Sequence, residues 1–249
     1  PVALANPPPP FPFTIQGDRF LSNGRPVFLN AIGYQPLEPG QAIDGEIRET
    51  RVRDDLRRWQ AFQGGHDPVL VRAYAQPTAR FPVRMPKSFY DGMRELGFWI
   101  VRDIYFQDNY EAGEAVAKGK AAVDAVLSEV SAVGGFDRIF AWEIGNEFRA
   151  ETPAARAALE NFVCAMAGHI RSRMTQPGRE PFSTWVTWAS WVRNDPMRSI
   201  GNPVLPACLD YISYNIYSYD PERLRDHQSG PITGRPYAGY LAALKERYP

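Results

Sequence analysis

The sequence predicts an α/β fold in which amphipathic helices cover a parallel sheet. Six apolar, strand-like runs alternate with helical stretches along the 249 residues. This alternation is typical of βα units, whose consecutive strands lie parallel. No strand is followed by a G-x-G-x-x-G or P-loop motif, which counts against a nucleotide-binding open sheet. Periodicity alone leaves two architectures, an open doubly wound sheet and a closed (β/α)8 barrel.

Each predicted element follows from local pattern. The predicted strands span residues 27–33, 69–74, 99–104, 139–144, 184–188 and 211–217. The predicted helices span residues 48–62, 115–133, 153–174 and 237–248. Thr152 is the expected N-cap of the third helix, because Pro153 follows it at a first-turn position. Ahead of the first unit, Asn23-Gly24 predicts a tight turn between short strands.

The chain divides into a Pro-rich N-terminal tail, residues 1–12, and one α/β domain, residues 13–249. Four consecutive prolines, Pro7 to Pro10, predict extended polyproline structure in the tail. The domain holds about six βα units, whereas a complete barrel has eight. A barrel would therefore be incomplete at its C-terminal end, and the alternative is a six-stranded sheet that is complete as it stands.

Composition excludes several function classes. Lys plus Arg and Asp plus Glu both number 28, so the formal charge of zero argues against a nucleic-acid or anionic-lipid surface. No run of 18 apolar residues predicts a membrane span. The three histidines are too scattered for a His-based metal site, and no metal or organic cofactor is expected. All four lysines fall in predicted loops or helices, which disfavours a Schiff-base enzyme.

The two cysteines leave two interpretations open. Cys164 and Cys208 do not form a C-x-x-C pair, so a redox or zinc-ribbon motif is not indicated. They could form one disulfide or remain buried thiols. A barrel of this size needs no covalent link for stability, so buried thiols are the favoured expectation.

The most informative segment is the apolar run 139–147, which ends in Gly145-Asn146-Glu147. In a parallel α/β domain the carboxyl ends of the strands form the functional face. A carboxyl group there is a candidate proton donor, which glycosidic cleavage needs because an unprotonated sugar oxygen leaves poorly. The structural alternative for Glu147 is a residue that caps the following helix.

Residues 142–147 resemble the W-x-x-G-N-E signature that ends the fourth strand of clan A glycoside hydrolases, families 2 and 5 among them. Residues 30–34 resemble the first strand of these enzymes, 71–74 the second and 210–217 the sixth. The stretch 33–36, Gly-Tyr-Gln-Pro, is similar to the related family 72 glucanosyltransferases. The resemblance covers roughly residues 13–249 and implies a (β/α)8 TIM barrel.

By this resemblance, Glu147 is the general acid/base and Asn146 binds the sugar 2-hydroxyl group. Arg72 would orient and stabilise the nucleophile carboxylate, and Tyr217 would donate a hydrogen bond to it. The structural alternatives are an internal ion pair for Arg72 and rim packing for Tyr217.

Aromatic residues complete the expected substrate site. Trp188 and Trp191 could stack on sugar rings, or they could simply pack in the core. Tyr34 is a further candidate for substrate binding.

Two acidic residues inside the predicted strands stand apart from the resemblance. Glu143 lies in mid-strand, where a lone buried carboxylate is costly, so it should have a partner, with Arg72 or Arg102 as candidates. A role for Glu143 as a second catalytic carboxyl group is disfavoured. Asp103 could line the pocket, although a structural Asp bonded to backbone is the favoured interpretation.

Retaining members of the clan take their nucleophile from a Glu at the end of strand seven, and we expect that residue beyond Pro249. The leading functional hypothesis is hydrolysis or transfer of O-glycosidic bonds of a β-linked oligo- or polysaccharide by double displacement. The alternative is a non-catalytic carbohydrate-binding barrel. The Pro-rich start and the substrate class suggest a secreted or periplasmic protein. The oligomeric state, sugar identity and linkage stay open.

Overall fold

The structure is a computed structural model that describes residues 11–36, 47–62, 68–73, 85–104, 106, 110–148, 150, 152–175, 182–192 and 206–216. Its strands are β1 (Phe13–Gln16), β2 (Arg19–Ser22), β3 (Arg25–Pro26), β4 (Asn30–Tyr34), β5 (Val69–Ala73), β6 (Trp99–Ile104), β7 (Ile139–Asn146), β8 (Val186–Val192) and β9 (Ser213–Ile216). Its α-helices are α1 (Glu49–Trp59), α2 (Lys87–Leu96), α3 (Ala115–Ala132) and α4 (Pro153–Met174). Short 3-10 turns follow α1 and precede β7.

The fold is α/β with a six-stranded parallel sheet. Its strand order, β4-β5-β6-β7-β8-β9, is the order of the chain. All six strands were predicted, with shifts of a few residues at their ends. A separate antiparallel sheet, β1-β2-β3, precedes it, and Asn23 and Gly24 form the β2–β3 turn with positive φ angles of 50° and 77°.

Of the four described α-helices, α4 alone begins with a side-chain cap. The predicted cap of α4 is confirmed, because the Thr152 hydroxyl accepts a hydrogen bond from the Ala155 amide at 3.1 Å. Helix α2 was not predicted, although Phe89, Tyr90 and Met93 are all buried on one side of it. The predicted helix at residues 237–248 lies outside the described residues.

The two faces of the parallel sheet are covered differently. All four helices pack on one face, where they contact strand residues at alternate positions such as Val71, Ile100 and Trp142. We call the opposite face the inner face. It carries Leu70 and Val101, which belong to a second, smaller apolar cluster without helical residues.

Aromatic rings from the N-terminal strands close the lower end of the inner face, where the parallel strands begin. Phe13 contacts Phe140 edge to face, with ring centroids 5.0 Å apart. The ring centroids of Phe11 and Trp185 are 5.0 Å apart, and those of Phe20 and Tyr211 are 5.3 Å apart. Because Trp185 and Tyr211 lie one and two residues ahead of β8 and β9, this cluster covers the end opposite the carboxyl ends of the strands.

The expectation of two buried thiols was wrong. Cys164 of α4 and Cys208 ahead of β9 form a disulfide, with Cα atoms 5.5 Å apart. The bond ties α4 to the segment that enters the last described strand. No helix in the described part of the chain is long and apolar enough to cross a membrane.

Candidate active site

The carboxyl end of β7 departs from regular strand geometry at the predicted catalytic residue. The β7–β8 register shifts between Glu143 and Asn146, and both Gly145 and Glu147 have left-handed backbones, with φ of 61° and 57°. The Glu147 amide still donates to the Ala189 carbonyl of β8 at 2.9 Å. A left-handed conformation at a non-glycine residue costs about 1–3 kcal/mol, and such strain concentrates at functional sites. The Glu147 side chain at this irregularity is half-buried.

Gly145 is required here for two reasons. Its positive φ disfavours any residue with a side chain, and an added Cβ would lie only 2.3 Å from the Phe148 ring. Phe148 in turn contacts Tyr110, with centroids 5.9 Å apart. The Gly-Asn-Glu sequence therefore lets an aromatic ring pack directly against the backbone beside Glu147.

Arg72 of β5 crosses the inner face and joins two residues of β7. Its Nε donates to Glu143 Oε1 at 2.7 Å, and its Nη2 donates to the same oxygen. The same Nη2 donates to Asn146 Oδ1 at 2.8 Å. Because the amide oxygen of Asn146 accepts from Arg72, the carboxamide orientation is fixed and its NH2 group is directed elsewhere as a donor.

Glu143 and Arg72 confirm that a mid-strand carboxylate has a partner. The side chain of Glu143 is 1% exposed and that of Arg72 is 18% exposed. Burial raises the pKa of Glu143, and the Arg72 guanidinium opposes that rise. The other candidate partner, Arg102, lies on the helical face instead, where its Nη2 contacts Glu129 of α3 at 3.2 Å.

Asp103 forms a second buried acid on the inner face. It is directly opposite Glu143 in the β6–β7 register and has no exposed surface. Among the described residues, neither of its carboxyl oxygens has a hydrogen-bond partner, in contrast to the expected backbone-bonded Asp. Burial, and after it the charge of Glu143, raise the pKa of Asp103 to about 7 against the opposing effects of Arg102 and Arg72.

Strand β8 extends this arrangement. Thr187, in register with Glu143, donates its hydroxyl hydrogen to the Tyr211 carbonyl at 2.9 Å. We call Arg72, Asp103, Glu143 and Thr187 the polar layer. It lies between the aromatic cluster at one end of the inner face and Glu147 at the other.

Two of the predicted substrate-binding aromatics lie on the helical face. Tyr34 is 6% exposed, stacks against Phe89, and donates its hydroxyl hydrogen to Asp55 at 3.2 Å. Trp188 is 2% exposed and belongs to the large core. Both placements correspond to core packing rather than to contact with a sugar.

The structure describes the other two predicted site residues only in part. The backbone of Trp191 lies within β8, and Tyr217 lies outside the described residues. The structure thus brings together Glu147, Asn146 and Arg72 from the predicted set. The sequence analysis did not predict that Asp103 and Glu143 lie next to each other on β6 and β7. The sequence does place an acidic residue at the same inward position of these two successive strands. In the described part of the chain, no cluster of His, Cys, Asp or Glu is arranged to hold a metal ion.

Comparison with known proteins gives structural but not sequence-level relatives. No protein-family model matches the chain, and no curated protein matches its sequence. A β-glucuronidase from Ruminococcus gnavus in complex with C6-substituted uronic isofagomine aligns with a TM-score of 0.57 at 17% identity, covering 94% of this chain. A GH2 β-galacturonidase from Eisenbergiella tayi bound to galacturonate gives a TM-score of 0.57 at 16% identity, also over 94% of this chain. The chain is similar in fold to these glycosidases and spans 35–36% of their length.

Proposed function

We propose that this chain forms part of a (β/α)8-barrel glycoside hydrolase that cleaves or transfers β-linked O-glycosidic bonds with retention of configuration. The observation that carries the proposal is the position of Glu147 at a strained carboxyl end of β7, beside an Asn146 held by Arg72. The fold similarity to two glycosidases supports the same reaction class.

Barrel closure is supported by the order of the strands. A doubly wound sheet reverses its strand order and carries helices on both faces. Here six parallel strands follow chain order, and the four described helices cover a single face. Further βα units after β9 would bring the sheet round to β4 and enclose the inner face.

In the proposed reaction Glu147 acts twice. As an acid it protonates the leaving glycosidic oxygen, and as a base it then activates water against the glycosyl-enzyme intermediate. The carboxamide of Asn146 offers an N–H to the sugar hydroxyl beside the reacting carbon. Such bonds strengthen in the transition state and contribute several kcal/mol in glycosidases.

A retaining mechanism needs a second carboxylate about 5–5.5 Å from the first. The inner-face acids of the described strands are poorly suited to attack a sugar, because Glu143 is bound to Arg72 and Asp103 is fully buried. We propose, from the clan A resemblance, that the nucleophile is a Glu on the strand that would follow the sixth unit. Arg72, at the second strand of the barrel, would face it across the site.

The test uses the full-length protein with two classes of substrate. A panel of 4-nitrophenyl β-glycosides, including the glucuronide and galacturonide, identifies a sugar, and the methyl glycoside of that sugar supplies a poor leaving group. Glu147→Gln should lower turnover of the methyl glycoside by about 10²–10⁴-fold and that of the nitrophenyl glycoside less, because only the former needs a proton to depart.

Glu160→Gln, an equal charge change on the exposed side of α4, is the matched control and should leave both rates unchanged. Near-full activity of Glu147→Gln on the methyl glycoside would refute the assignment.

A further inference from the structure

The polar layer contains two acidic side chains and one basic side chain. Asp103 and Glu143 lie side by side on β6 and β7, and Arg72 is the cation that faces them on the inner side of the sheet. Arg72 donates two hydrogen bonds to Glu143 and one to Asn146. Within the described structure the carboxyl group of Asp103 receives no donor.

Within the described residues, the charged groups that act on Asp103 are Glu143, Arg102 and Arg72. Arg72 acts on it from β5 and Glu143 from β7. Burial, and after it the charge of Glu143, raise the pKa of Tyr211, which lies two residues ahead of β9. Arg102, on the same strand, points to the other face and is paired with Glu129 of α3. The nearest positive charges are thus already engaged with other carboxylates.

An ionised carboxylate without donors is costly to bury, so one of the two acids should hold a proton. Glu143 has the guanidinium hydrogen bonds that stabilise a carboxylate, and Asp103 does not. The proton therefore belongs to Asp103.

We propose that Asp103 is a positioning residue controlled by its own protonation: when neutral it leaves Arg72 bound to Asn146, and when ionised it draws Arg72 away and loosens Asn146 and Glu147. The kinetic consequence rests on the proposed glycosidase function, whereas the protonation itself does not.

The release of Asn146 follows from the relative strength of the bonds. A guanidinium attracts a carboxylate by their opposite net charges and can bind it with two hydrogen bonds, whereas an amide oxygen carries no net charge. A newly charged Asp103 would compete for Arg72 with Asn146 Oδ1, which is an uncharged acceptor. Because the raised pKa of Asp103 is about 7, the change would occur close to neutral pH.

The first test measures stability and needs no activity. A carboxyl whose folded-state pKa is raised contributes stability below its unfolded pKa and loses it as pH rises through the folded value. The unfolding constant of wild type divided by that of Asp103→Asn should thus rise about tenfold per pH unit between about pH 4 and 7. Asp54→Asn, which removes a 57% exposed carboxylate, controls for the lost charge.

A ratio that does not change with pH, or that falls as pH rises, would overturn the proposal, because Asp103 would then be ionised in the folded protein. If Asp103→Asn does not fold, infrared spectroscopy of the wild type replaces it. The carbonyl band of a protonated, buried carboxylic acid should be present at pH 5 and lost above pH 8.

The second test isolates the positioning role. In a Glu147→Ala background, azide can replace the base, so the pH dependence of azide-supported turnover no longer reports Glu147. That turnover should decline above about pH 7, and the decline should vanish in Asp103→Asn/Glu147→Ala. An identical decline in both would overturn the positioning role. Absence of all glycosidase activity, with the stability result as expected, would instead refute the proposed function alone.

Discussion

Replacement of Arg72 by Met should destabilise the protein in a strongly pH-dependent way. Met keeps much of the apolar volume of the arginine stem but removes the guanidinium. The variant loses both hydrogen bonds to Glu143 and the bond to Asn146. Glu143, whose side chain is 1% exposed, is then a buried carboxylate without its cation.

The magnitude follows from the burial of the pair. Removal of one partner of a buried ion pair costs about 3–5 kcal/mol, and the 18% exposure of Arg72 places the expected cost near the lower end, about 3 kcal/mol at pH 8. Without Arg72 the pKa of Glu143 has nothing to oppose its rise from burial. Stability is then lost as pH rises through that folded-state pKa, so the cost should shrink as pH falls from 8 to 5.

Urea unfolding of wild type and Arg72→Met at several pH values measures this cost. Arg53→Met is the control, because Arg53 pairs with Glu49 on an exposed helix surface, with side chains 61% and 52% exposed. That substitution should cost about 0.3–0.5 kcal/mol. A cost below about 1 kcal/mol for Arg72→Met at pH 8, or one that grows as pH falls, would refute the buried-pair reasoning.

Three further predictions concern packing and covalent structure. Gly145→Ala should lower stability by at least about 2 kcal/mol and reduce turnover, since its Cβ would lie 2.3 Å from an aromatic ring at a φ of 61°; unchanged urea midpoints would contradict this. Gly119→Ala should lower the free energy of unfolding by about 1–3 kcal/mol, because its Cβ would lie 2.5 Å from a side chain of α4. Gly168→Ala has open space around the new Cβ and should raise the free energy of unfolding by about 0.5–1 kcal/mol. Equal effects of the two substitutions in calorimetry would contradict the α3–α4 packing. Replacement of both Cys164 and Cys208 by Ala should lower stability by about 4 kcal/mol, since the bond closes a loop of 44 residues, and thiol titration of the wild type should find neither free.

The strands were predictable because each is an apolar run bounded by polar or turn-forming residues. Helices α3 and α4 were predictable from apolar spacing and, in α4, from the Thr152 cap. Helix α2 escaped because it has no side-chain cap and carries Gly92 in its interior, which lowers helix propensity. The structure explains that glycine, since a Cβ there would lie 2.4 Å from Leu56 of α1.

Only those features of the candidate site that depend on residue type and on order along the chain could be predicted from the sequence. The Gly-Asn-Glu ending predicts Glu147 and Asn146 as site residues, and the cost of a lone buried carboxylate correctly predicted a partner for Glu143. The choice of Arg72 over Arg102 depends on which face of the sheet each side chain occupies. The disulfide and the left-handed backbone of Glu147 depend on three-dimensional geometry that spacing does not encode.

The most direct test of the central claim is product analysis of Glu147→Ala in the full-length protein, with azide and the nitrophenyl β-glycoside that the wild type hydrolyses fastest. If Glu147 is the acid/base of a retaining enzyme, the nitrophenyl group still departs, azide attacks the glycosyl-enzyme without a base, and the product is the β-glycosyl azide. The α-glycosyl azide would contradict retention. Unimpaired hydrolysis with no azide adduct would show that Glu147 does not perform this role.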